Sequence, residues 1–246
     1  MPHYLASHTI SLIDKFSQED KPFFIWHDNW GPFEPYYVPQ EYYDMYKDVK
    51  IPQWPNYEWR TDNSYGPDRM KRDGMTNQLK WNDWEDAIRH YYAFTTLIDH
   101  LIGRIINHLE ETGLADNTIL IFTSDHGESL GSQGGMTDKG FSHYEEVQRI
   151  GLIIKDPRLP KTQIGTKQDE LASLIDLYPT ILDYAGGIYE SEKINGRSLV
   201  PLIEGKPVKW RDCVFVKFFG IGGMATNMIT CRHGNIKYGY TCSNKE

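Results

Sequence analysis

A long helical repeat in this sequence leads directly into a short apolar run, and this order of elements indicates the fold class. Residues 84 to 112 repeat at helical spacings of three and four, and Gly113 is placed to cap the end of that helix. The stretch "ADNT" then turns the chain into "ILIFT", which predicts a buried strand at 118–123. A long helix followed by a buried strand is typical of α/β folds.

Further elements agree with this class. A helix is predicted at residues 3–17, and another is predicted to begin at Asp176 as N-cap and to end at Gly186-Gly187. The polar, proline-containing stretch 47–80 predicts an excursion over one rim of the domain. Three more apolar runs predict strands, the first two of them buried: 21–30, 150–154 and 171–175.

From Trp210 onward the pattern is β. Strands are predicted at 213–219, 225–232 and 236–242, with "RHGN" as the hairpin turn. The predicted fold is therefore α/β: part of a large, mostly parallel sheet flanked by helices, with a small antiparallel β-rich C-terminal region. We expect an α/β domain over residues 1–207 and the start of a β-rich subdomain over 208–246.

Composition and charge limit the classes of partner that the chain could bind. The net charge of -8, with no basic block, argues against a nucleic-acid partner, and no apolar run is long enough to span a membrane. The cysteines Cys213, Cys231 and Cys242 have neither zinc spacing nor a disulfide framework, so we expect ordinary thiols. A Cys231–Cys242 bridge is the alternative.

Asp125 and His126 follow the end of the strand predicted at 118–123, with Ser124 between. Ligands of open α/β sheets collect beyond the carboxyl ends of strands, and a carboxylate with a neutral imidazole suits a divalent cation. Neighbouring residues of an extended chain point to opposite sides, so both reach one ion only if the backbone turns, which Gly127 permits. The alternative is that Asp125 caps the turn and His126 packs.

Lys139 follows a glycine-rich loop and is suited to bind an anionic substrate oxygen. The alternative is a solvated loop lysine. His143 is either a proton donor or a packed, partly buried side chain, and the latter is favoured. His27 and Asp28 end another predicted strand, so they are candidates for the same crevice.

The stretches "TILIFTSDHGESLG", "DKG" and "HYEEVQRIGLIIKDP", with flanks over most of residues 20–205, resemble the second half of a sulfatase of the alkaline phosphatase superfamily. This resemblance implies a sulfuric ester hydrolase that uses formylglycine and a divalent cation, usually calcium. It implies that Asp125 and His126 are metal ligands and that Lys139 binds the sulfate group. The substrate implied is a small anionic sulfate ester such as a sulfated sugar.

The sequence also departs from the family pattern. No cysteine lies in a Cys-x-Pro/Ala-x-Arg motif, and the family's early aspartate pair has no counterpart here. Phe33 and Gln133 stand where histidines are expected, and Gly151 stands where proline is common. We therefore expect part of a sulfatase that is inactive alone, with no catalytic nucleophile among its residues. We also expect the chain to expose apolar surface or an unpaired sheet edge, either of which favours self-association.

Two alternatives remain open. One is a phosphonate or phosphate ester hydrolase of the same superfamily, and the other is a non-catalytic member retained for binding or assembly.

Overall fold

A computed structural model describes residues 1–59, 76–139, 142–219 and 226–243. The chain divides into two compact units. The first unit contains Met1–Leu120 and Glu128–Lys139, and the second contains Ile121–Gly127 and Gly140–Glu246. The predicted boundary at 207/208 stays a prediction.

The first unit is helical. The helix predicted at 84–112 is confirmed, and its end is marked by Gly113 at φ 72°, a left-handed conformation that glycine adopts without strain. The helix predicted at 3–17 is also confirmed. The described helices of this unit are α1 Pro2–Ser17, α2 Gln40–Tyr43, α3 Trp81–Glu111 and the irregular turn α4 Ser132–Gly135.

Helix α3 supplies most of the core of the first unit. Its Phe94 and Leu101 pack with Ala6 of α1 and Tyr42 of α2. Nearer its N-terminus, α3 packs Trp84 and Ile88 against a second buried cluster that contains Ile51 and Tyr57. Those residues belong to the predicted excursion 47–80, whose residues 60–75 lie outside the described chain.

The strand predicted at 21–30 was wrong. Exposure alternates along this segment as in a strand, and Phe24, Trp26 and Trp30 are 64%, 68% and 66% exposed. No other strand of the described residues pairs with it, so the ladder that defines a strand does not form. The segment therefore has the alternating pattern of a strand, but these large apolar side chains are exposed and not buried as predicted.

The second unit begins with a two-stranded sheet. The strands predicted at 118–123 and 150–154 are found as β1 Leu120–Thr123 and β2 Leu152–Lys155. Full burial was wrong, because Phe122 and Ile153 are 48% and 65% exposed while the opposite faces of both strands pack on Leu177 and its neighbours. The helices of this unit are α5 Glu145–Gln148, α6 Leu177–Tyr184 and α7 Val200–Ile203.

The short strand predicted at 171–175 was also wrong. Asp176 accepts a hydrogen bond from the backbone N–H of Ser173 (2.8 Å), which closes a 3₁₀ turn over Leu174–Asp176. Asp176 does stand at the N-cap position of α6, as predicted, but its side chain makes no capping bond to that helix. Other 3₁₀ turns are Ala115–Asn117, Lys161–Gln163 and Ser191–Lys193.

The predicted antiparallel C-terminal region is confirmed. Strands β3 Cys213–Phe219, β4 Thr226–His233 and β5 Ile236–Ser243 form one sheet in the order β3-β4-β5. Ala225, the predicted first residue of the middle strand, lies outside the described residues.

The register of this sheet excludes a Cys231–Cys242 disulfide. Cys242 lies opposite Asn227, and Cys231 lies opposite Tyr238, so the two cysteines are not paired across the hairpin. All three cysteines are free, as expected.

The mixed helices and sheets confirm the α/β class. In the part of the chain that the structure describes, no helix has the length and apolar character needed to cross a membrane.

Candidate functional site

Asp125 and His126 form a tight turn after β1. The backbone N–H of His126 donates to Asp125 Oδ1 (2.9 Å), and the Ser124 hydroxyl donates to the His126 carbonyl (2.7 Å). The His126 ring hydrogen-bonds through Nδ1 to the Gly127 carbonyl (2.8 Å). This turn places Asp125 Oδ2 3.5 Å from His126 Nε2, so the two side chains point to the same side.

Gly127 is needed in this turn for a steric reason. Its φ is not in the left-handed region, so the expected role of backbone freedom is not the reason for glycine here. A Cβ at this position would lie 1.9 Å from the Glu146 carbonyl oxygen. The Gly127 N–H also donates to the Val147 carbonyl (2.8 Å), so the chain of α5 lies directly against the turn.

The Asp125–His126 pair fits a divalent cation in the kind of donors it presents. A carbonyl only accepts, so in a neutral His126 ring, which is the form that binds a metal, Nδ1 carries the proton and Nε2 presents its lone pair on the side of Asp125. The Asp125 side chain is 83% exposed and therefore accessible to an ion. Within the described ranges no group of three or more His, Cys, Asp or Glu could hold a metal ion, so further ligands would have to join these two.

In the first unit, the glycine-rich loop before Lys139 is packed. The indole N–H of Trp54 donates to the Leu130 carbonyl (2.8 Å), and the Thr76 hydroxyl donates to the Gly135 carbonyl (2.5 Å). Gly131 has φ 82° and lies so close to the Trp84 ring that a Cβ would be 2.7 Å from it. Gln133, where the family pattern has histidine, adopts φ 51° within α4.

Lys139 is held at the end of this loop. Its Nζ lies 3.3 Å from the centroid of the Phe33 ring and 3.2 Å from Asp138 Oδ1, and its side chain is 28% exposed. Trp30 packs edge-on against Phe33, with the ring centroids 5.4 Å apart. Lys139 is thus a partly buried, positioned cation and not a fully solvated loop lysine.

Two acidic groups in this unit are affected by burial. Burial raises the pKa of Glu128, whose carboxylate accepts N–H bonds from Ser129 and Leu130 (3.0 and 3.4 Å). Burial likewise raises the pKa of Tyr36, and the negative charge of Glu128 adds to the effect. Both groups therefore favour their protonated forms more than they do in water.

The other histidines named from the sequence have structural partners. His27 hydrogen-bonds Thr9 (2.7 Å) and Asn29 (3.0 Å) in the first unit. Burial lowers the pKa of His27, which keeps its ring neutral. His143 lies between Thr230 and Thr241, which agrees with the favoured packed interpretation.

Three contacts were missed from the sequence. Phe33 was noted only as a departure from a family pattern, and nothing in the sequence signalled that its ring lies over Lys139. The pairing of Glu145 with Arg232 and Lys237 was missed because the partners are 87 and 92 residues away.

A family model and a curated relative both identify this chain with the sulfatases. The sulfatase family model matches residues 4–188. An arylsulfatase of Clostridium perfringens is 36% identical over 200 residues, which make up 79% of this chain and 40% of that protein.

Two solved structures share the fold. The phosphonate monoester hydrolase of Agrobacterium radiobacter has a TM-score of 0.81 at 24% identity, over 96% of this chain and 51% of that one. A protein solved in complex with its substrate D-glucosamine-2-N,6-O-disulfate has a TM-score of 0.72 at 22% identity, over 99% of this chain and 63% of that one. The chain therefore spans less than two thirds of each of these proteins. Because the family match covers well over half of its 246 residues, the chain belongs to the sulfatase family.

Proposed function

We propose that the protein that carries this chain hydrolyses sulfate esters with the help of a divalent cation. The family membership supports the reaction class. The observation that carries the proposal is the turn that brings Asp125 Oδ2 and His126 Nε2 to 3.5 Å from each other on an accessible surface. A carboxylate oxygen and an imidazole nitrogen at this distance can bind the same cation.

Asp125 and His126 are the proposed metal ligands, and calcium is the proposed ion. A bound cation would neutralise charge on the sulfate group and so lower the barrier to its transfer. This chain's own contribution is to fix the two donors: the Gly127 carbonyl sets the orientation of the His126 ring, and the His126 N–H holds the Asp125 carboxylate.

Lys139 is the proposed ligand of the substrate's sulfate oxygens. An ammonium group is a compact positive charge with three donors. Asp138 and Phe33 hold it on two sides, so little side-chain freedom remains to be lost when an anion binds.

The proposed substrate is a small anionic sulfate ester, and a sulfated sugar is the class we favour. A fold relative was solved with a disulfated glucosamine as its substrate. In this chain the exposed Trp30 ring, supported by Phe33, offers an apolar face of the kind on which sugar and aryl rings stack.

The catalytic nucleophile is proposed to lie outside these residues. None of the three cysteines begins a Cys-x-Pro/Ala-x-Arg motif, in which the family's cysteine is converted to formylglycine. We therefore expect the chain alone to show no turnover of an aryl sulfate, whereas the protein encoded by the complete reading frame turns it over. Multiple turnovers by the chain alone would refute this assignment, and an inactive complete protein would favour a non-catalytic member.

Calcium calorimetry on the 246-residue chain tests the ligand pair. With two donors we expect weak binding, with a dissociation constant on the order of millimolar. Asp125→Asn should abolish it, and Asp116→Asn, a matched change in the 3₁₀ turn before β1, should not. Equal binding by both variants would exclude Asp125 as a ligand.

A phosphonate or phosphate ester hydrolase is the second candidate. The phosphonate monoester hydrolase of Agrobacterium radiobacter has the higher TM-score of the two solved structures, 0.81 against 0.72. The family match and the arylsulfatase relative favour the sulfate ester.

Self-association of the chain is also proposed. Phe24 and Trp26, on the open side of the extended segment 21–30, are 64% and 68% exposed. Large exposed apolar side chains of this kind favour association. Light scattering at high concentration should give a mass above that of the monomer, and a monomeric mass would contradict the proposal.

A further inference from the structure

One face of the β4–β5 hairpin packs against residues 142–148. The antiparallel register places Thr230 opposite Gly239 and Arg232 opposite Lys237. Directly opposed residues of a sheet share a face, and so do residues two positions along a strand. Thr241 therefore lies on this face too, and Thr230 is 2% exposed.

His143 is clamped by this face. Its Nδ1 is 2.6 Å from the Thr230 hydroxyl, and its Nε2 is 2.9 Å from the Thr241 hydroxyl. The ring lies directly on Gly239, where a Cβ would be 2.7 Å from the ring atoms. Both ring nitrogens and one ring face are thus fixed by the hairpin.

Two further side chains bind the same face. Glu145 accepts hydrogen bonds from Lys237 (2.6 Å) and Arg232 (3.0 Å). These cations lower the pKa of Glu145, with the Lys237 hydrogen bond as the largest cause. Gln148 donates to the Thr230 hydroxyl (2.9 Å) and to the Ser142 carbonyl (2.9 Å), so the hairpin holds residues 142–148 at both ends.

The held segment contacts the turn that carries the proposed ligands. The Val147 carbonyl accepts the Gly127 N–H (2.8 Å), and the Glu146 carbonyl lies where a Gly127 side chain would be. The Gly127 carbonyl in turn accepts the His126 Nδ1 proton (2.8 Å). A continuous series of contacts therefore joins the hairpin to the His126 ring within the second unit.

We propose that the β4–β5 hairpin is a positioning element for His126, and that His143 and Glu145 are its positioning residues. The hairpin fixes residues 142–148, these fix the Gly127 peptide, and that peptide sets which His126 nitrogen faces Asp125. The cation-binding part of this inference rests on the proposed function. The orientation of the metal-free ring does not.

The test uses Gly239→Ala in the full 246-residue chain. The added methyl group displaces His143, and the backbone of Gly239 is not in the left-handed region, so alanine itself is tolerated. Gly151→Ala is the matched control, because a Cβ at Gly151 meets nothing within 4 Å. Imidazole ¹⁵N NMR reports the His126 tautomer without metal, and Mn²⁺ broadening of the His126 ring signals reports cation affinity.

In the unchanged chain and in Gly151→Ala we expect His126 protonated at Nδ1. In Gly239→Ala we expect a mixture of tautomers and Mn²⁺ binding about 10-fold weaker, which is typical of lost outer-shell support. A second variant, Thr230→Val with Thr241→Val, removes both hydroxyl partners of His143 and should give the same changes.

The single variant Thr230→Ser keeps the hydroxyl and leaves Thr241 intact. It should therefore give the His126 signals of the unchanged chain. A purely structural role would lower thermal stability without changing the tautomer. Unchanged His126 signals in both Gly239→Ala and the double variant, with His143 signals that do move, would overturn the positioning role. If the unchanged chain fails to bind Mn²⁺, the proposed cation role fails, and the metal-free spectra still decide the positioning role.

Discussion

The buried ion pair between Asp176 and Arg211 gives a sharp stability prediction for Asp176→Asn. Asp176 is fully buried, and the side chain of Arg211 is 10% exposed. The carboxylate accepts two hydrogen bonds from the Arg211 guanidinium (2.8 and 2.6 Å). It also accepts the backbone N–H groups of Ser173 and Arg197, both at 2.8 Å.

The magnitude follows from these four contacts. Asparagine keeps one acceptor oxygen and places an NH₂ group where the other oxygen accepts one guanidinium and one backbone N–H. Half of the contacts are lost, and Arg211 remains buried without its counter-charge. Removing one partner of a buried pair costs about 3–5 kcal/mol. Two lost charged hydrogen bonds at about 1.5–3 kcal/mol each give about 3–6 kcal/mol, which overlaps that range.

Urea unfolding at pH 7, followed by circular dichroism, measures the loss in the free energy of unfolding. Arg211→Met should also destabilise, and the double variant should recover part of the loss, because no buried charge is then left unpaired. A loss below about 1 kcal/mol for Asp176→Asn, or additive effects in the double variant, would refute this account of the pair.

Three further predictions concern the candidate site and its support. Gly127→Ala should cost about 1–3 kcal/mol in the free energy of unfolding, since its methyl group meets the Glu146 carbonyl; Gly151→Ala, which meets nothing, should cost far less, and equal losses would contradict the steric reading. Burial raises the pKa of Glu128 above its usual 4.5, so the free energy of unfolding falls as the pH rises from that value. Glu128→Gln should reduce this pH dependence between about pH 4.5 and 7, as measured by urea unfolding, and an unchanged dependence on pH would disprove the explanation. Burial lowers the pKa of His143 below 6.5, so its contribution to stability is present above pH 6.5 and is lost below it; an NMR titration giving a pKa above 6.5 would contradict the packed environment.

Local pattern was sufficient where an element carries its own signals. The helical spacing that ends in Gly113 predicted α3, and the alternating residues around "RHGN" predicted the β4–β5 hairpin. In both cases the hydrogen bonds form between residues close in sequence, so the local sequence includes both partners of each bond.

Strand predictions failed where the partner or a side chain decides the structure. Segment 21–30 has the alternation of a strand but no pairing strand in the described chain. The carboxylate of Asp176 turned the end of 171–175 into a 3₁₀ turn, which propensity alone does not show.

The candidate site was predictable in its residue types and not in its supports. The strand end predicted the positions of Asp125 and His126, and Gly127 was expected in their turn. That Gly127 is required by the Glu146 carbonyl depends on a packing contact that no local pattern encodes.

We propose that the protein carrying this chain is a cation-dependent sulfate ester hydrolase that uses Lys139, and one kinetic comparison tests this proposal. The most direct measurement is kcat/KM for an aryl sulfate and for a matched phosphonate monoester. It uses the protein encoded by the complete reading frame, with and without a chelator. We expect a higher value for the sulfate ester. This value should be lost on chelation and reduced about 10²-fold or more by Lys139→Met, as for removal of a group that stabilises transition-state charge. Turnover of the phosphonate with none of the sulfate, or full activity of Lys139→Met, would contradict it.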